Sequence, residues 1–230
     1  MTPHCQHIAV ALFVRHPVPG RVKTRLACDL GDGDACDLYR AIVADIIENI
    51  KACDLPLYVF HDGAAAGGLP LEWLNAAEGV ISQAGDSLGE RMTAAFEYLF
   101  SIGRERVVLA GSDIPGIDAQ LLRSAIASIA EHEMAFSPAF DGGYGLVASN
   151  KEGFRVAIFQ NIPWSTSGVL EMTLERCQAE GVSYTLLDPR QDIDTLKDIE
   201  AYCGQPSSTA VSTNGWLVSH GFMLPLMIYC

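Results

Sequence analysis

Short apolar runs alternate with amphipathic helical patterns along almost the whole chain, and this alternation restricts the fold more than any other feature. "HIAVALFV" (7–14) is continuously apolar, as a strand buried on both faces would be. Residues 34–53 then carry Leu38, Ile42, Ile46 and Ile50 at four-residue spacing, which makes one helix face apolar. "LPLYVFHDG" (55–63) reads as a second strand. A short helix near 70–77 precedes "GVISQ" (79–83), and a helix follows from about Ser87 to Ser101. "RVVLAG" (106–111) is the next strand, stopped by the proline of "SDIPG". Asp118 is placed to cap a helix with Leu121, Leu122, Ala125, Ile126 and Ile129 on one side. Two extended segments meet around Asp141-Gly142-Gly143, and a helix near 166–180, a strand at 182–188 and a helix near 194–203 complete the series. Strands alternating with helices predict an α/β fold of three layers, a mainly parallel sheet between helices. The close pair of segments around Gly142 predicts one antiparallel strand in the later half.

The chain of 230 residues suits a single large domain over residues 1–204. From Gln205 to residue 230 the pattern changes to a polar, turn-forming stretch and then an apolar one without clear period. Packing of this tail against the domain or a partner is a better expectation for it than chemistry. With 49% hydrophobic and only 19% charged residues, a sizeable core is expected and disorder is not. The seven cysteines (5, 28, 36, 53, 177, 203 and 230) form no C-x-x-C pair and have no His at zinc spacing, so free thiols in a reducing cytoplasm are expected. "MTPHCQH" lacks the charged-then-apolar order of a signal peptide, and no apolar run approaches a membrane span. The reading is therefore of a cytoplasmic protein.

A net charge of −13 argues against nucleic acid or an anionic membrane as partner, since both need positive surface. Against that background "LFVRHPVPGRVKTRLA" (12–27) gathers Arg15, His16, Arg21, Lys23 and Arg25 directly after the first strand. A local basic loop on an acidic chain points to a small anionic ligand. Pro17, Pro19 and Gly20 keep the loop from turning helical at once. Lys23 offers a point charge and Arg25 a planar fork, both suited to phosphate oxygens. Neither G-x-x-x-x-G-K-[ST] nor G-x-G-x-x-G is present, which disfavours a P-loop nucleotidase and a Rossmann dehydrogenase.

Three further motifs lie where strands end. "LAGSDIPG" delivers Ser112 and the Asp113 carboxylate to the sheet edge, where Asp113 would serve a hard divalent cation or simply cap the next loop. In "SPAFDGGYGLVAS" two glycines permit close approach of a ligand and Asp141 can accept from sugar hydroxyls; a plain Asp-Gly hairpin is the alternative. In "DPRQDIDTLKDIE" Asp192, Asp194 and Asp198 follow a strand. Asp194 could bring a second metal-ligating carboxylate, and helix capping by Asp192 or Asp194 is the alternative.

Taken in order, "FVRHPVPGRVKTRLA", "DSLGERM", "GSDIPG", "SPAFDGGYGLVAS", "IPWSTSGVLEMT" and "DIDTLKDIE" resemble a bacterial family of glycosyltransferase-A fold, the arsenosugar-biosynthesis-type glycosyltransferases. That family is related to the molybdenum-cofactor and phospholactate guanylyltransferases. The resemblance spans roughly residues 8–201. It implies a three-layer α/β/α, Rossmann-like nucleotide-diphospho-sugar transferase fold with a mixed, mainly parallel sheet. It also implies a nucleotide over the first half of that sheet. Arg15, Gly20, Lys23 and Arg25 would face its phosphates, with Ser112 and Arg91 also reaching the nucleotide. Asp113 and Asp194 would bind Mg²⁺ or Mn²⁺, and Asp141, Gly142, Gly143 and Tyr144 would face the sugar or acceptor. Arg15-His16 stands where that family usually has Lys or Ala before the proline, and Gly145 where a bulkier residue is usual.

The function expected from this resemblance is metal-dependent transfer from a nucleoside-diphosphate sugar to a small-molecule acceptor, with Asp113, Lys23 and Asp141 at the reacting groups. Nucleotidyl transfer from an NTP to a phosphorylated acceptor would use the same residues. Sugar-nucleotide sensing without catalysis is a third possibility.

Overall fold

The computed structural model describes residues 7–63 and 67–224. Among them, seven strands form one sheet: β1 (Ile8–Val14), β2 (Leu57–His61), β3 (Gly79–Ser82), β4 (Arg106–Ala110), β5 (Met134–Pro138), β6 (Tyr144–Asn150) and β7 (Tyr184–Leu186). Their spatial order is β3-β2-β1-β4-β6-β5-β7. All neighbours run parallel except β6, which is antiparallel to both β4 and β5. The sheet is thus mixed and mainly parallel, and its one reversed strand is the second extended segment at Gly142.

Eight α-helices join and flank the strands among the described residues: α1 (Thr24–Leu30), α2 (Asp32–Ala52), α3 (Leu71–Ala76), α4 (Leu88–Ser101), α5 (Ala119–Glu131), α6 (Val169–Ala179), α7 (Leu196–Gly204) and α8 (Val211–Ser219). Every residue of β1 is buried, and the pleat divides them between two cores. Val10, Leu12 and Val14 pack under α2 and α5 with Leu38, Ile42, Ile46 and Ile50. Ala9, Ala11 and Phe13 face the other way, against Met92, Phe96 and Leu99 of α4. Burial on both faces is the physical reason that β1 shows no polar alternation.

Helix boundaries follow local capping chemistry. The Ser87 hydroxyl accepts from the Glu90 N–H at 3.2 Å and the Glu90 carboxylate accepts from the Ser87 N–H at 3.3 Å, a reciprocal box that starts α4. Asp118 caps α5, accepting from the Leu121 N–H at 2.7 Å as the sequence suggested. At α7, Asp198 accepts from the Thr195 N–H at 2.7 Å, so capping falls to the Thr195–Asp198 pair rather than to Asp192 or Asp194.

The tail beyond Gln205 contains α8, which lies along α2. Its first turn is held by Asp45 of α2, 3% exposed, whose two oxygens accept from the Ser212 and Thr213 N–H groups at 2.7 Å each. Cys28, Cys36, Cys53, Cys177 and Cys203 are free thiols, while Cys5 and Cys230 lie outside the described residues. Among the described residues no helix is long and apolar enough to cross a membrane.

Asp45→Ala leaves the Ser212 and Thr213 N–H groups at the start of α8, the second of them buried, without their acceptor and is expected to cost about 1–3 kcal/mol in urea unfolding. The exposed Asp37→Ala on the same helix should stay within about 0.5 kcal/mol, and equal effects would contradict the cap. Gly142, at φ +91°, has the Ser167 carbonyl where a Cβ would project. Gly142→Ala is therefore expected to cost about 1–3 kcal/mol by the same measurement, and a neutral result would show that the turn can rearrange.

Candidate functional site

The strand order reverses its direction of growth at β1. The chain moves outward through β2 and β3, then returns to place β4 on the other side of β1. In parallel sheets the loops leaving such a pair part to opposite faces and open a crevice beyond the carboxyl ends. Here that crevice is a cleft of about 610 Å³. Arg15 lines it from the loop after β1, and Gly111, Ser112 and Asp113 line it from the loop after β4. Because β6 runs antiparallel, the β5–β6 turn with Asp141 and Gly143 falls at the same edge. The segment after β7 adds Asp192 and Asp194. That segment is stitched in place by the main chain: Arg190 N–H donates to the Pro138 carbonyl at 2.9 Å and Ile193 N–H to the Asp113 carbonyl at 3.0 Å.

Lys23 sits at the floor of this arrangement. Its ammonium lies 2.5 Å from an Asp113 oxygen and 3.0 Å from an Asp194 oxygen, joining residues 171 positions apart. The Lys23 side chain is 2% exposed, whereas those of Asp113 and Asp194 are 53% and 42% exposed. The lysine is thus behind the carboxylates and the carboxylates face the cleft. Burial pulls the Lys23 pKa down, but Asp113 and then Asp194 outweigh it, so the net shift is upward and the ammonium stays charged at neutral pH. The backbone is held in the left-handed region at φ 48°, ψ 43°. A lysine adopts this conformation rarely and at a cost of about 1–2 kcal/mol.

Tyr39 of α2, which the sequence reading did not single out, fixes the two loops to one another. Its buried hydroxyl accepts from the Arg15 N–H at 2.8 Å and lies 3.0 Å from the Ser112 Oγ. Burial pushes its phenol well above the ordinary range, with the Asp113 charge adding to the effect. The only hint in the sequence is a tyrosine beside Leu38 on the apolar face of a helix.

The residues singled out from sequence separate into two groups. Arg15, Arg91, Ser112, Asp113, Asp141, Gly143, Tyr144 and Asp194 line the cleft, and Lys23 lies beneath it. Gly20 and Arg25 are not among the lining residues. Gly20 makes a turn at φ +78° against the Asp32 carboxylate, and Arg25 points to solvent because its neighbour Leu26 is the α1 residue that enters the core. Gly142 is required by its backbone angle and by Ser167. The Asp141 carboxylate accepts from the Gly143 N–H at 2.8 Å, so it shapes the turn as well as lining the cleft. Tyr144 contributes its ring, edge-on to Phe136 and Trp164 at 5.3 and 6.4 Å, while its hydroxyl is buried. Gly145 is small because Ile114 fills the space a side chain would take.

At the opposite end of the cleft, Asp62 accepts from the His16 N–H at 3.0 Å and lies 3.0 Å from His16 Nδ1. Burial alone would raise the Asp62 pKa, but these contacts with His16 outweigh it and hold the carboxyl below the usual range. Arg91 is anchored by donating from Nε to the Gly85 carbonyl at 3.0 Å.

The lining is markedly acidic. Asp62, Asp113, Asp141, Asp192 and Asp194 face two guanidinium groups, Arg15 and Arg91. Asp192 is pushed up to about 6, by burial first and then by Asp141, Asp194 and Asp198. Asp113 and Asp194 fit a hard divalent cation. Both are oxygen donors on facing loops, and they already share one cation, the Lys23 ammonium. Among the described residues no group of three or more His, Cys, Asp or Glu side chains could hold a metal. Two carboxylates completed by water and phosphate oxygens are the mode magnesium commonly adopts.

Comparison with known proteins accords with this architecture. The family described as "uncharacterized protein conserved in bacteria (DUF2064)" matches residues 46–166. No curated protein sequence matches. Among solved structures, a candidate nucleotide-diphospho-sugar transferase from Desulfovibrio desulfuricans G20 is 31% identical, over 91% of this chain and 94% of that one, with a TM-score of 0.80. Likeness of fold alone extends to a nucleotidyl transferase from Methanothermobacter thermautotroptrophicus, 13% identical over 93% and 99% of the chains, TM-score 0.57. It extends also to Rv0371C from Mycobacterium tuberculosis H37Rv in complex with manganese, 13% identical over 87% and 100%, TM-score 0.50. The chain belongs to the DUF2064 family and has the fold of the nucleotide-diphospho-sugar transferases.

Proposed function

We propose that the protein is a divalent-cation-dependent transferase that moves a glycosyl group from a nucleoside-diphosphate sugar to a hydroxyl of a small acceptor. The observation that carries this reading is the meeting of Lys23 with Asp113 and Asp194 at the switch point of the sheet, beside Arg15 and Arg91. The 31% identity to the Desulfovibrio protein supports the donor class. The resemblance to arsenosugar-biosynthesis-type glycosyltransferases supports glycosyl transfer in particular.

An acidic cleft repels a diphosphate, so an added cation is electrostatically required. Asp113 and Asp194 would hold magnesium or manganese, which when bound neutralises charge on the diphosphate leaving group. The residues of this chain do the rest. Arg15 and Arg91 orient the phosphates and stabilise the negative charge that grows as the anomeric C–O bond breaks. Asp141, with Asp192 beside it, orients the acceptor hydroxyl and takes its proton as the acceptor oxygen forms the new C–O bond. The nucleoside diphosphate then leaves.

Nucleotidyl transfer is the second reading, favoured by the fold shared with the Methanothermobacter nucleotidyl transferase. Incubation with UDP- and GDP-sugars, and separately with each NTP plus pyrophosphatase, distinguishes the two. Release of a nucleoside diphosphate from a sugar donor is expected. Phosphate released only from NTPs would move the assignment to nucleotidyl transfer, and metal-dependent binding without turnover would make the protein a sensor. In a thermal-shift series a donor at 100 times its Kd with Mn²⁺ should add about 2.7 kcal/mol of stability. Asp113→Asn is expected to remove that gain and to lower kcat on the order of 10²-fold or more. An Asp113→Asn protein with unchanged nucleotide affinity and turnover would refute the site.

A further inference from the structure

We propose that Lys23 is a positioning residue that competes with the divalent cation for Asp113 and Asp194, so that the cation is held firmly only when an anionic ligand enters with it. This rests on the reading of that carboxylate pair as the cation's ligands. The geometry carries it. Lys23 Nζ contacts one oxygen of each carboxylate at 2.5 and 3.0 Å, and its side chain is almost fully enclosed. The ammonium is therefore not a free phosphate ligand waiting in the cleft. It is the internal counter-ion of the pair, and it leaves the two carboxylates with a combined charge of −1 rather than −2.

A divalent ion arriving alone meets that reduced charge and a second cation behind it. An accompanying diphosphate changes the balance, because its oxygens supply negative charge to both the metal and the ammonium. Metal and nucleotide then strengthen one another's binding, and reciprocally so. The left-handed backbone at Lys23 fits such a role, since an uncommon conformation is retained where a side chain must reach one place.

The test measures Mn²⁺ binding by electron paramagnetic resonance, first with the metal alone and then with UDP, GDP, CDP or ADP. Lys23→Asn removes the charge with a residue that tolerates φ near +50°. It is expected to bind Mn²⁺ alone about tenfold or more tightly than the wild type, and to gain less from nucleotide. Lys23→Arg, which keeps the cation, should stay as weak as the wild type. A merely structural lysine predicts the opposite, since losing it would loosen the pair and weaken metal binding. Lys23→Asn binding Mn²⁺ no more tightly than the wild type overturns the proposal.

A measurement on the wild type does not depend on how the variants fold. The Lys23 ammonium signal in ¹⁵N-lysine NMR should persist with Mg²⁺ alone and move when Mg²⁺ and a binding nucleoside diphosphate are added together. A signal displaced equally by Mg²⁺ alone also overturns it. Should no nucleotide bind to either protein, the transferase reading fails, while the metal-alone comparison still decides the role of Lys23.

Discussion

The ion cluster of Lys23 with Asp113 and Asp194 is the constraint on which the cleft depends. It ties the loop after β1 to the loop after β4 and to the segment after β7. Three penalties attend it. A buried ammonium loses several kcal/mol of hydration, two close carboxylates repel, and a left-handed lysine is strained. Together the first two penalties largely cancel. The upward net shift of the Lys23 pKa, against its own burial, records that cancellation. Since the raised value lies above neutrality, the ammonium stays charged through the neutral range, and the stability it contributes is lost as the pH rises through its folded-state value.

The rest of the fold serves to bring those loops together. Parallel strands deliver their carboxyl ends to one edge, and the reversal of growth at β1 separates the loops leaving β1 and β4. The antiparallel β6 is the exception with a purpose, because it lets the β5–β6 turn and the segment after β7 close the same edge from the far side. Tyr39 and the Ile193–Asp113 main-chain bond then fix the spacing. Neither is chemistry-bearing. Both limit how far the charged groups can drift.

Much of this was legible in the sequence. The apolar run of β1, the four-residue period of α2, the Asp118 cap and the reversal at Gly142 are all local patterns, readable from residues a few positions apart. What was not legible depends on distance along the chain. Tyr39 meets Ser112 across 73 positions and Asp45 meets Ser212 across 167, and no local period reports such a pairing. For the same reason a basic loop could be recognised while the roles within it could not. Lys23 turns inward under two carboxylates, but Arg25, two residues on, is rotated out by the burial of Leu26 and Gly20 serves the turn. Aspartate before a helix usually caps it, and both Asp192 and Asp194 precede α7. Thr195 and Asp198 fill that role instead, which leaves the Asp194 carboxylate for Lys23.

Asp113, Asp194, Arg15 and Arg91 come from distant parts of the chain to one cleft, where the proposed function has the carboxylates hold a cation and the arginines face a diphosphate. Crystals grown with Mn²⁺ and UDP, with diffraction recorded at the manganese absorption edge, test it most directly. An anomalous peak is expected within coordination distance of Asp113 and Asp194, with the diphosphate toward Arg15 and Arg91. Manganese and nucleotide bound elsewhere, with the Lys23 cluster undisturbed, would contradict it.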